Sequence, residues 1–554
     1  MRVRSRGAAW GRLALWAGLV SLLGGCGTPQ HRAPPPSTDI DETGFRDDVR
    51  VLASDQYEGR RPGTPGEDKT TAFLIGQFRK LGLKPGNGES FAQQVPLVET
   101  LVGDAVLSVA GPGGARPLRY GKDMVVWSKR AAPTAQLQHS ELVFVGYGIV
   151  APAYGWNDYA HVDVRGKTVL VMMSDPGAAG NDPALFKGKA LSYRGSSSYK
   201  FEEAARHGAA GVLLIHDARA AGYGWNVVTS TWTGPQFERA TADDSAGRAA
   251  VEGWITAEAG RGLFTQAGLD YDAVTAGAAH AGFKAVAMGL DVDAELHNTV
   301  RRISSPNIIA LLPGGERKHE YILYTAHWDH LGRDTAGAIY SGAVDNATGV
   351  AGLLMLAQSF SRTHPRLDRS IVFIAFTADE SALLGSAYYA DNPVFPLRDT
   401  AAVLNLDGLH IGGRTRDVVL FGAGNSELEE YVRSAALLQG REVRPEPYPE
   451  QGLYYGSAQL NFALHGVPSL YVKAGIDDSA RGPAWGRAQL EDYMAHRYRQ
   501  PGDKYSEDWD VRGAIDDLSL YYEVGERLAS TRRFPRWYPS SEFSSSHSRE
   551  DLSQ

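Results

Sequence analysis

Four short motifs rich in histidine and carboxylate residues lie between residues 327 and 407 of the chain. Three of them directly follow apolar runs, which is the pattern of charged residues at the ends of buried strands. In an open α/β fold, ligands converge from several strands at the carboxyl edge of a parallel sheet. The motifs are His327-Trp-Asp-His330, Gly342-Ala-Val-Asp-Asn-Ala-Thr-Gly349, Asp379-Glu380 and Leu404-Asn-Leu-Asp407.

These residue types suit metal-assisted hydrolysis. Hydrolysis of a peptide bond at neutral pH needs an activated water, a polarised carbonyl and an acid for the leaving amine, and two zinc ions about 3.5–4 Å apart supply the first two. Zinc accepts neutral imidazole nitrogen and carboxylate oxygen. The metal ligands that we predict, with Asp345 bridging two ions through its two oxygens, are His327, Asp345, Glu380 and Asp407.

Two neighbouring carboxylates have predicted roles beside the metal. Asp379 is a candidate general base for the attacking water. Asp329 is a candidate partner that orients the imidazole of His327. Taken singly, such positions also suit ordinary turns or a helix cap. The succession of all four motifs favours the metal site.

The composition is that of a globular protein and excludes several classes of function. The 554 residues are 43% hydrophobic and 22% charged, and this length predicts two or three domains. The net charge is −8, and no Lys/Arg tract occurs beyond the N-terminus, which argues against nucleic-acid binding. Cys26 is the only cysteine, which rules out an intramolecular disulfide and a thiolate zinc site.

Residues 1–25 are predicted to be a lipoprotein signal peptide. Three early arginines precede an apolar stretch over 13–23, and Leu23-Gly-Gly-Cys26 resembles the box in which a cysteine is lipidated. An ordinary signal peptide is the alternative interpretation. Residues 26–40 then form a flexible linker. We expect an exported protein anchored to a membrane through Cys26 on its periplasmic or cell-surface side, with the outer membrane as the favoured choice.

The pattern of predicted strands and helices changes twice along the chain, which predicts an insert within a larger domain. Leu74, Phe78 and Leu81 recur at helical spacing, and Gly82 can end that helix. Further predicted elements are strands over 142–149, 166–173 and 211–216, and helices over 199–208 and 516–528. The predicted domains are an N-terminal part at 41–135, an insert at 136–290, a metal-binding part at 291–535 and a disordered tail at 536–554.

The motifs resemble the co-catalytic zinc aminopeptidases of metallopeptidase family M-28, of the leucyl aminopeptidase-like type. The resemblance extends to the opening segment Leu52-Ala-Ser-Asp-Gln-Tyr-Glu-Gly59. It implies an α/β fold with an open, mostly parallel sheet flanked by helices, of the zinc exopeptidase type. The insert, with Gly146-Tyr-Gly-Ile149 and Gly208-Ala-Ala-Gly-Val-Leu213, resembles a β-rich α/β protease-associated domain.

The resemblance also implies how the site is arranged. His327 and Asp407 would bind one to each of two zinc ions, and Asp345 would bridge them. Glu380 would complete one of the two sites. Family members trim amino acids from peptide N-termini or cut small C-terminal dipeptide-like substrates, and a glutaminyl cyclase branch uses one zinc. A peptide is therefore the expected substrate.

The chain departs from the family pattern at four positions. Where the family has Ser-Asp-His, this chain has Ser457-Ala-Gln459, so that Gln459 stands at the last histidine ligand. An amide oxygen is a weak zinc ligand. Arg499 stands where relatives often carry histidine, and Asp379 where the family more often has glutamate. We therefore expect two zinc ions, with a second site that is weak, singly occupied or lost.

Three functions remain open at this point. The leading hypothesis is a lipid-anchored, zinc-dependent aminopeptidase acting on short peptides. The second is a non-catalytic peptide- or protein-binding lipoprotein on a degenerate peptidase scaffold, which Gln459 favours and the retention of Asp379 opposes. The third is a single-zinc enzyme of glutaminyl cyclase type. The sequence leaves open the oligomeric state and the preferred N-terminal residue.

Overall fold

The computed structural model describes residues 40–180, 182–363 and 367–544. The predicted signal peptide, Cys26 and the linker as far as residue 39 lie outside the described residues, as do residues 545–554 of the predicted tail. Ile40, at the end of the predicted linker, is buried. Within the described ranges, no helix has the length and apolar character needed to span a membrane.

Most strands belong to one large sheet. The strands in the described part of the chain are β1 (Lys84–Pro85), β2 (Ala92–Gly111), β3 (Gly114–Leu118), β4 (Met124–Trp127), β5 (Thr134–Phe144), β6 (Val150–Ala151), β7 (Trp156–Asn157), β8 (Thr168–Met172), β9 (Gly211–Ile215), β10 (Gln236–Arg239), β11 (Val251–Ile255), β12 (Val286–Leu312), β13 (Arg317–His327), β14 (Gly332–Arg333), β15 (Ile339–Tyr340), β16 (Arg369–Phe376), β17 (Thr400–Asn405), β18 (Asp417–Leu420), β19 (Glu442–Arg444) and β20 (Ser469–Ala474).

The helices cover both faces of this sheet. Their bounds are α1 (Glu42–Leu52), α2 (Pro65–Lys80), α3 (Pro176–Gly180), α4 (Ser197–Arg206), α5 (Ala218–Ala221), α6 (Trp225–Trp232), α7 (Ala257–Gln266), α8 (Tyr271–Ala278), α9 (Gly349–Thr363), α10 (Leu384–Asp391), α11 (Leu428–Leu438), α12 (Gln459–Leu464), α13 (Pro483–His496) and α14 (Arg512–Ser530). Local sequence sets several ends: Asp41 caps α1 by accepting the backbone N–H of Gly44 at 2.9 Å.

The C-terminal half of the chain forms a mostly parallel sheet in the order β19-β18-β20-β17-β13-β16-β12. Strand β13 is parallel to both β16 and β17, and β17 is parallel to β20. Strands β16 and β17 are buried at every residue, as parallel strands with helices on both faces must be. One face packs on α1, α9 and α14, and the other on α10 and α12. The predicted α/β class is confirmed.

The same sheet continues into the predicted insert through β12. This strand is antiparallel to β16 near its end, and to β5 and β2 along its earlier residues. Beyond β5, the strands β8, β9 and β11 are parallel, and β4 pairs antiparallel at the edge. The sheet therefore crosses both predicted domain boundaries, near residues 135 and 290, and those boundaries stay a prediction.

Two predicted elements need correction. The strand predicted over 142–149 ends at Phe144, because Gly146 and Gly148 have φ values of 60° and 63° that turn the chain. The tail predicted to be disordered from residue 536 packs on the domain over 536–544. Phe543 is buried there, and the indole N–H of Trp537 donates to the carbonyl of Gly466 at 2.9 Å. The helices predicted around Leu74 and over 516–528 are confirmed as α2 and α14.

Candidate metal centre

The three strands that carry predicted ligands end side by side. His327 is the last residue of β13, and Asp407 follows β17. Asp379 and Glu380 follow β16. Because β13 lies between β16 and β17 and is parallel to both, the three strand ends share one edge of the sheet. The structure thus brings these side chains together, as the strand pattern predicts.

Asp345 comes from an irregular turn, Ala343–Thr348, that precedes α9. The turn begins after Gly342, whose φ is 54° and where a Cβ would lie 2.4 Å from the carbonyl oxygen of Asp345, so only glycine fits. The carboxylate of Asp503 accepts the backbone N–H groups of Val344 at 3.0 Å and of Asp345 at 3.1 Å. These contacts fix the position of the Asp345 side chain.

The buried guanidinium of Arg60 ties two segments of the site together. It donates to the carbonyl of Trp328 at 2.9 Å and to the carbonyl of Ser341 at 2.6 Å. Trp328 directly follows His327, and Ser341 precedes the turn that carries Asp345. A single buried side chain therefore sets the spacing between these two predicted ligands.

His327, Asp345 and Asp407 form the first of two groups whose ligand atoms lie within 4.8 Å of one another, as atoms sharing one metal ion must. Nε2 of His327 lies 3.3 Å from Oδ1 of Asp345 and 3.4 Å from Oδ1 of Asp407. Ligand atoms bound to one tetrahedral zinc ion at about 2.0–2.2 Å lie roughly 3.3–3.6 Å apart, so these separations fit one ion. Nδ1 of His327 lies 3.1 Å from the carbonyl oxygen of Asp329, which directs Nε2 at the carboxylates.

The second group is His330, Asp345 and Glu380, so Asp345 is common to both. Nδ1 of His330 lies 2.5 Å from Oε1 of Glu380, which is a hydrogen-bond distance. The guanidinium of Arg499 forms an ion pair with Oε2 of Glu380, and its Nε lies 3.9 Å from Oδ2 of Asp345. Glu380 therefore already contacts an imidazole and a cation.

The carboxylate of Asp329 holds the segment that carries Asp379 and Glu380. It accepts the backbone N–H groups of Asp379 at 3.0 Å and of Glu380 at 3.3 Å, and its Oδ1 lies 3.6 Å from Nδ1 of His327. Asp329 thus lies beside the imidazole of His327, where the sequence analysis places it. Because Asp329 is only 1% exposed, it acts as a positioning residue for its neighbours.

Asp379, the predicted base, is buried beside the first group. Its Oδ1 has no hydrogen-bond partner among the described residues. Burial, reinforced by the carboxylates of Asp329 and Asp407, raises the pKa of Asp379 well above its usual range. A carboxylate with a raised proton affinity and a free oxygen is suited to accept a proton from water.

The charges around the first group are unbalanced. Burial disfavours a charged imidazole, but the carboxylates of Asp379 and Asp345 outweigh it and hold the pKa of His327 well above its usual value. Burial favours the neutral acids, but contact with His327 holds the pKa of Asp345 and of Asp407 below the usual range. A protonated His327 beside two ionised carboxylates leaves the group with a net negative charge, which a bound cation would balance.

Comparison with known proteins agrees with this geometry. The family model described as Peptidase family M28 matches residues 307–522, which include every residue of both groups. Residues 307–522 are called the M28 domain here, after the family model that they match. Aminopeptidase YwaD of Bacillus subtilis is 37% identical over 90 residues, 16% of this chain and 18% of that protein. The vacuolar membrane protease of Candida glabrata is 30% identical over 131 residues, 24% of this chain and 12% of that protein.

The chain thus spans less than a fifth of the length of these two curated relatives. Among solved structures, the aminopeptidase from Aneurinibacillus sp. strain AM-1 superposes with a TM-score of 0.51 at 19% identity. The superposition covers 91% of this chain and 96% of that one. This likeness establishes that the M28 domain and the segments around it share the fold of that protein.

Within the M28 domain, His327 and Asp407 belong to the same group of ligands. The expectation that they bind one to each of two ions is therefore wrong. The physical reason is distance: β13 neighbours both β16 and β17, but Nε2 of His327 lies 3.4 Å from Oδ1 of Asp407, close enough for both to hold one ion. Glu380, which follows β16, approaches Asp345 from the other side, together with His330.

Gln459, predicted as a metal ligand, has another role. Its side chain is fully buried at the start of α12. Its Oε1 accepts a hydrogen bond from Nδ2 of Asn405 at 2.8 Å, and its Nε2 donates to the carbonyl of Tyr454 at 2.7 Å. The prediction is wrong because both ends of the amide are already paired inside the fold.

Replacing Gln459 by leucine is expected to affect stability and not metal binding. The Gln459→Leu variant leaves the buried carbonyl of Tyr454 unpaired, at a cost of about 1–3 kcal/mol in the free energy of unfolding. Denaturant titration measures this loss, and the zinc content per chain should equal that of the wild type. The exposed Gln138→Leu change is the matched control, expected to stay within about 0.5 kcal/mol. A lower zinc content at unchanged stability would contradict the structural role.

Sequence reasoning missed several residues that shape the site. His330 was visible in the motif His327-Trp-Asp-His330, and its spacing was the available signal. Arg60 and Asp503 gave no local signal, since their contacts with the Asp345 segment span 281 and 159 residues of the chain. Such contacts become visible only in the folded structure.

All members of the two ligand groups except His330 line a cleft of about 980 Å³. Residues of the M28 domain such as Tyr471 and Lys473 share its lining with Tyr223 and Trp254, which precede β12 and lie in the predicted insert. The two parts also touch directly, because the ring of Tyr223 lies 6.2 Å from that of Tyr498. The predicted insert therefore forms part of the wall around the candidate site.

Proposed function

We propose that the chain is a zinc-dependent aminopeptidase that removes residues from the N-termini of peptides. The observation that carries the proposal is the spacing of His327, Asp345 and Asp407 for one ion beside the buried carboxylate of Asp379. The aminopeptidases among its relatives support the same reaction class. A cleft of about 980 Å³ accommodates a short peptide segment and not a folded protein.

The donor set suits zinc, since it combines one imidazole nitrogen with carboxylate oxygens. His327 would hold the ion through Nε2, and Asp345 and Asp407 would each hold it through Oδ1. When bound, zinc would polarise the scissile carbonyl and make the attacking water more acidic. The carbonyl of Asp329 keeps the imidazole in the orientation that this binding requires.

Asp379 would carry the proton between water and the leaving group. As the water oxygen bonds to the scissile carbonyl carbon, Oδ1 of Asp379 takes one of its protons. When the C–N bond breaks, Asp379 gives that proton to the amine of the departing peptide. The raised pKa of Asp379 suits both transfers. Asp329 holds the backbone of Asp379 in place for them.

The test is hydrolysis of a panel of aminoacyl-anilides by the purified chain, before chelation, after chelation and after zinc is restored. We expect release of the anilide to stop on chelation and to return with zinc. Folded protein that releases nothing from any substrate in the panel would contradict the proposal. Magnesium added in place of zinc is the control, because it favours octahedral oxygen ligation and suits this donor set poorly.

A single-zinc glutaminyl cyclase is the second candidate function. The observation that favours it is Arg499, which engages Glu380 where a second ion would need a ligand. The discriminating substrate is a peptide with N-terminal glutamine. Release of free glutamine indicates the aminopeptidase, whereas release of ammonia with a cyclised N-terminus indicates the cyclase.

A further inference from the structure

Arg499 lies on the loop between α13 and α14 and reaches into the centre of the site. Its guanidinium pairs with Oε2 of Glu380 and lies 3.9 Å from Oδ2 of Asp345. Its side chain is 21% exposed, so most of it lies within the protein. These contacts place a permanent positive charge between the two carboxylates of the second ligand group.

Both oxygens of Glu380 contact protein groups in this arrangement. Oε1 contacts Nδ1 of His330 at 2.5 Å, and Oε2 contacts Arg499. A guanidinium has only N–H donors and stays protonated in proteins, so Arg499 offers no ligand atom to a cation. A divalent ion placed between Glu380 and Asp345 would also be repelled by the charge of Arg499.

The loop that carries Arg499 is held from two sides. The next residue, Gln500, donates through Nε2 to Oγ of Ser230 at 2.9 Å, which ties the loop to α6 of the predicted insert. Further along, the carboxylate of Asp503 accepts the backbone N–H of Asp345 at 3.1 Å. Arg499 itself has a φ of 54°, a conformation that non-glycine residues keep only when their surroundings impose it.

We propose that Arg499 takes the place of a second metal ion, so that the chain binds one divalent ion, at His327, Asp345 and Asp407. In this arrangement, Oδ1 of Asp345 faces the ion and Oδ2 faces Arg499. The guanidinium is a positioning residue: it holds Glu380 and the second oxygen of Asp345 by charge, as an ion would. The inference rests on the proposed zinc-dependent function, but its test does not require hydrolysis.

The test is the number of zinc ions per chain, measured by elemental mass spectrometry on the full chain after dialysis against zinc. We expect one ion for the wild type and two for Arg499→His. The histidine supplies an imidazole nitrogen, removes the fixed charge and releases Oε2 of Glu380. Arg497→His is the matched control on the same loop, since Arg497 pairs with Asp492 and contacts neither ligand group. It should bind one ion.

Two ions in the wild-type chain would overturn the inference, and so would one ion in a folded Arg499→His variant. If that variant does not fold, the zinc affinities of the Glu380→Gln and Asp407→Asn variants test the inference instead. Glu380→Gln should keep one ion, with a zinc Kd raised by no more than about 100-fold, because loss of a partner outside the coordination shell typically costs about 10–100-fold in affinity. Asp407→Asn should weaken zinc binding by more than that. Equal losses in both variants would make Glu380 a ligand and refute the proposal.

The outcome is independent of the activity assay. A chain that binds one zinc ion and hydrolyses no substrate would remove the proposed function and leave the role of Arg499 standing. A chain that hydrolyses aminoacyl-anilides with two bound ions would support the proposed function and refute the role of Arg499.

Discussion

The Asp379→Asn variant is expected to bind zinc as the wild type does, while the kcat/KM of the proposed aminopeptidase falls about 10²–10⁴-fold. The amide keeps the shape of the side chain but cannot accept the proton of the attacking water. His327, Asp345 and Asp407 are unchanged, so the metal content should not move. The measurement is kcat/KM on the best aminoacyl-anilide, together with zinc per chain.

Two further variants serve as controls for this kcat/KM measurement. Asp391→Asn changes a carboxylate that pairs with Arg239 on the surface, and it should leave kcat/KM within about twofold, as surface substitutions do. Asp379→Glu keeps a carboxylate and should be more active than Asp379→Asn. If Asp379→Asn retains more than a tenth of the wild-type kcat/KM with full zinc, Asp379 is not the base.

The metal ligands at strand ends were predictable because a strand pattern carries long-range information. An apolar run followed by a charged residue indicates both a buried strand and its exposed end. In a parallel sheet those ends meet at one edge whatever the strand order. His327, Asp407 and Glu380 could therefore be placed together from sequence, although their grouping could not.

The grouping depended on where each side chain points, which no local pattern encodes. β13 neighbours both β16 and β17, yet His327 lies beside Asp407, whereas Glu380 contacts His330. The error at Gln459 has the same origin. Its position along the chain resembled that of a ligand, but its side-chain amide pairs with the side chain of Asn405 and the carbonyl of Tyr454.

The role of Arg499 shows where sequence reasoning stops. Its replacement of a histidine was visible in the sequence, and it suggested a lost ligand. The structure adds the contacts of its guanidinium with Glu380 and Asp345. The sequence shows only that a histidine ligand is absent. The contacts of the guanidinium are needed to infer that Arg499 replaces the second ion.

Replacing His327 by alanine is expected to abolish both zinc binding and activity. The imidazole is the sole nitrogen ligand of the first group, and without it the carboxylates of Asp345 and Asp407 face each other unbalanced. Loss of a contact outside the coordination shell already costs about 10–100-fold in affinity, so loss of a direct ligand should raise the zinc Kd at least about 100-fold. Activity should fall below detection at zinc concentrations that saturate the wild type.

Thermal and denaturant unfolding at fixed zinc make this loss measurable without a substrate. A ligand present at about 100 times its Kd stabilises the folded state by roughly 2.7 kcal/mol, and a Kd raised about 100-fold reduces that gain to roughly 0.4 kcal/mol. The wild type should therefore gain stability with zinc and His327→Ala should not. The exposed His496→Ala change is the control and should keep the gain. A zinc-dependent gain that survives in His327→Ala would show that the ion binds elsewhere, and the metal centre described above would be wrong.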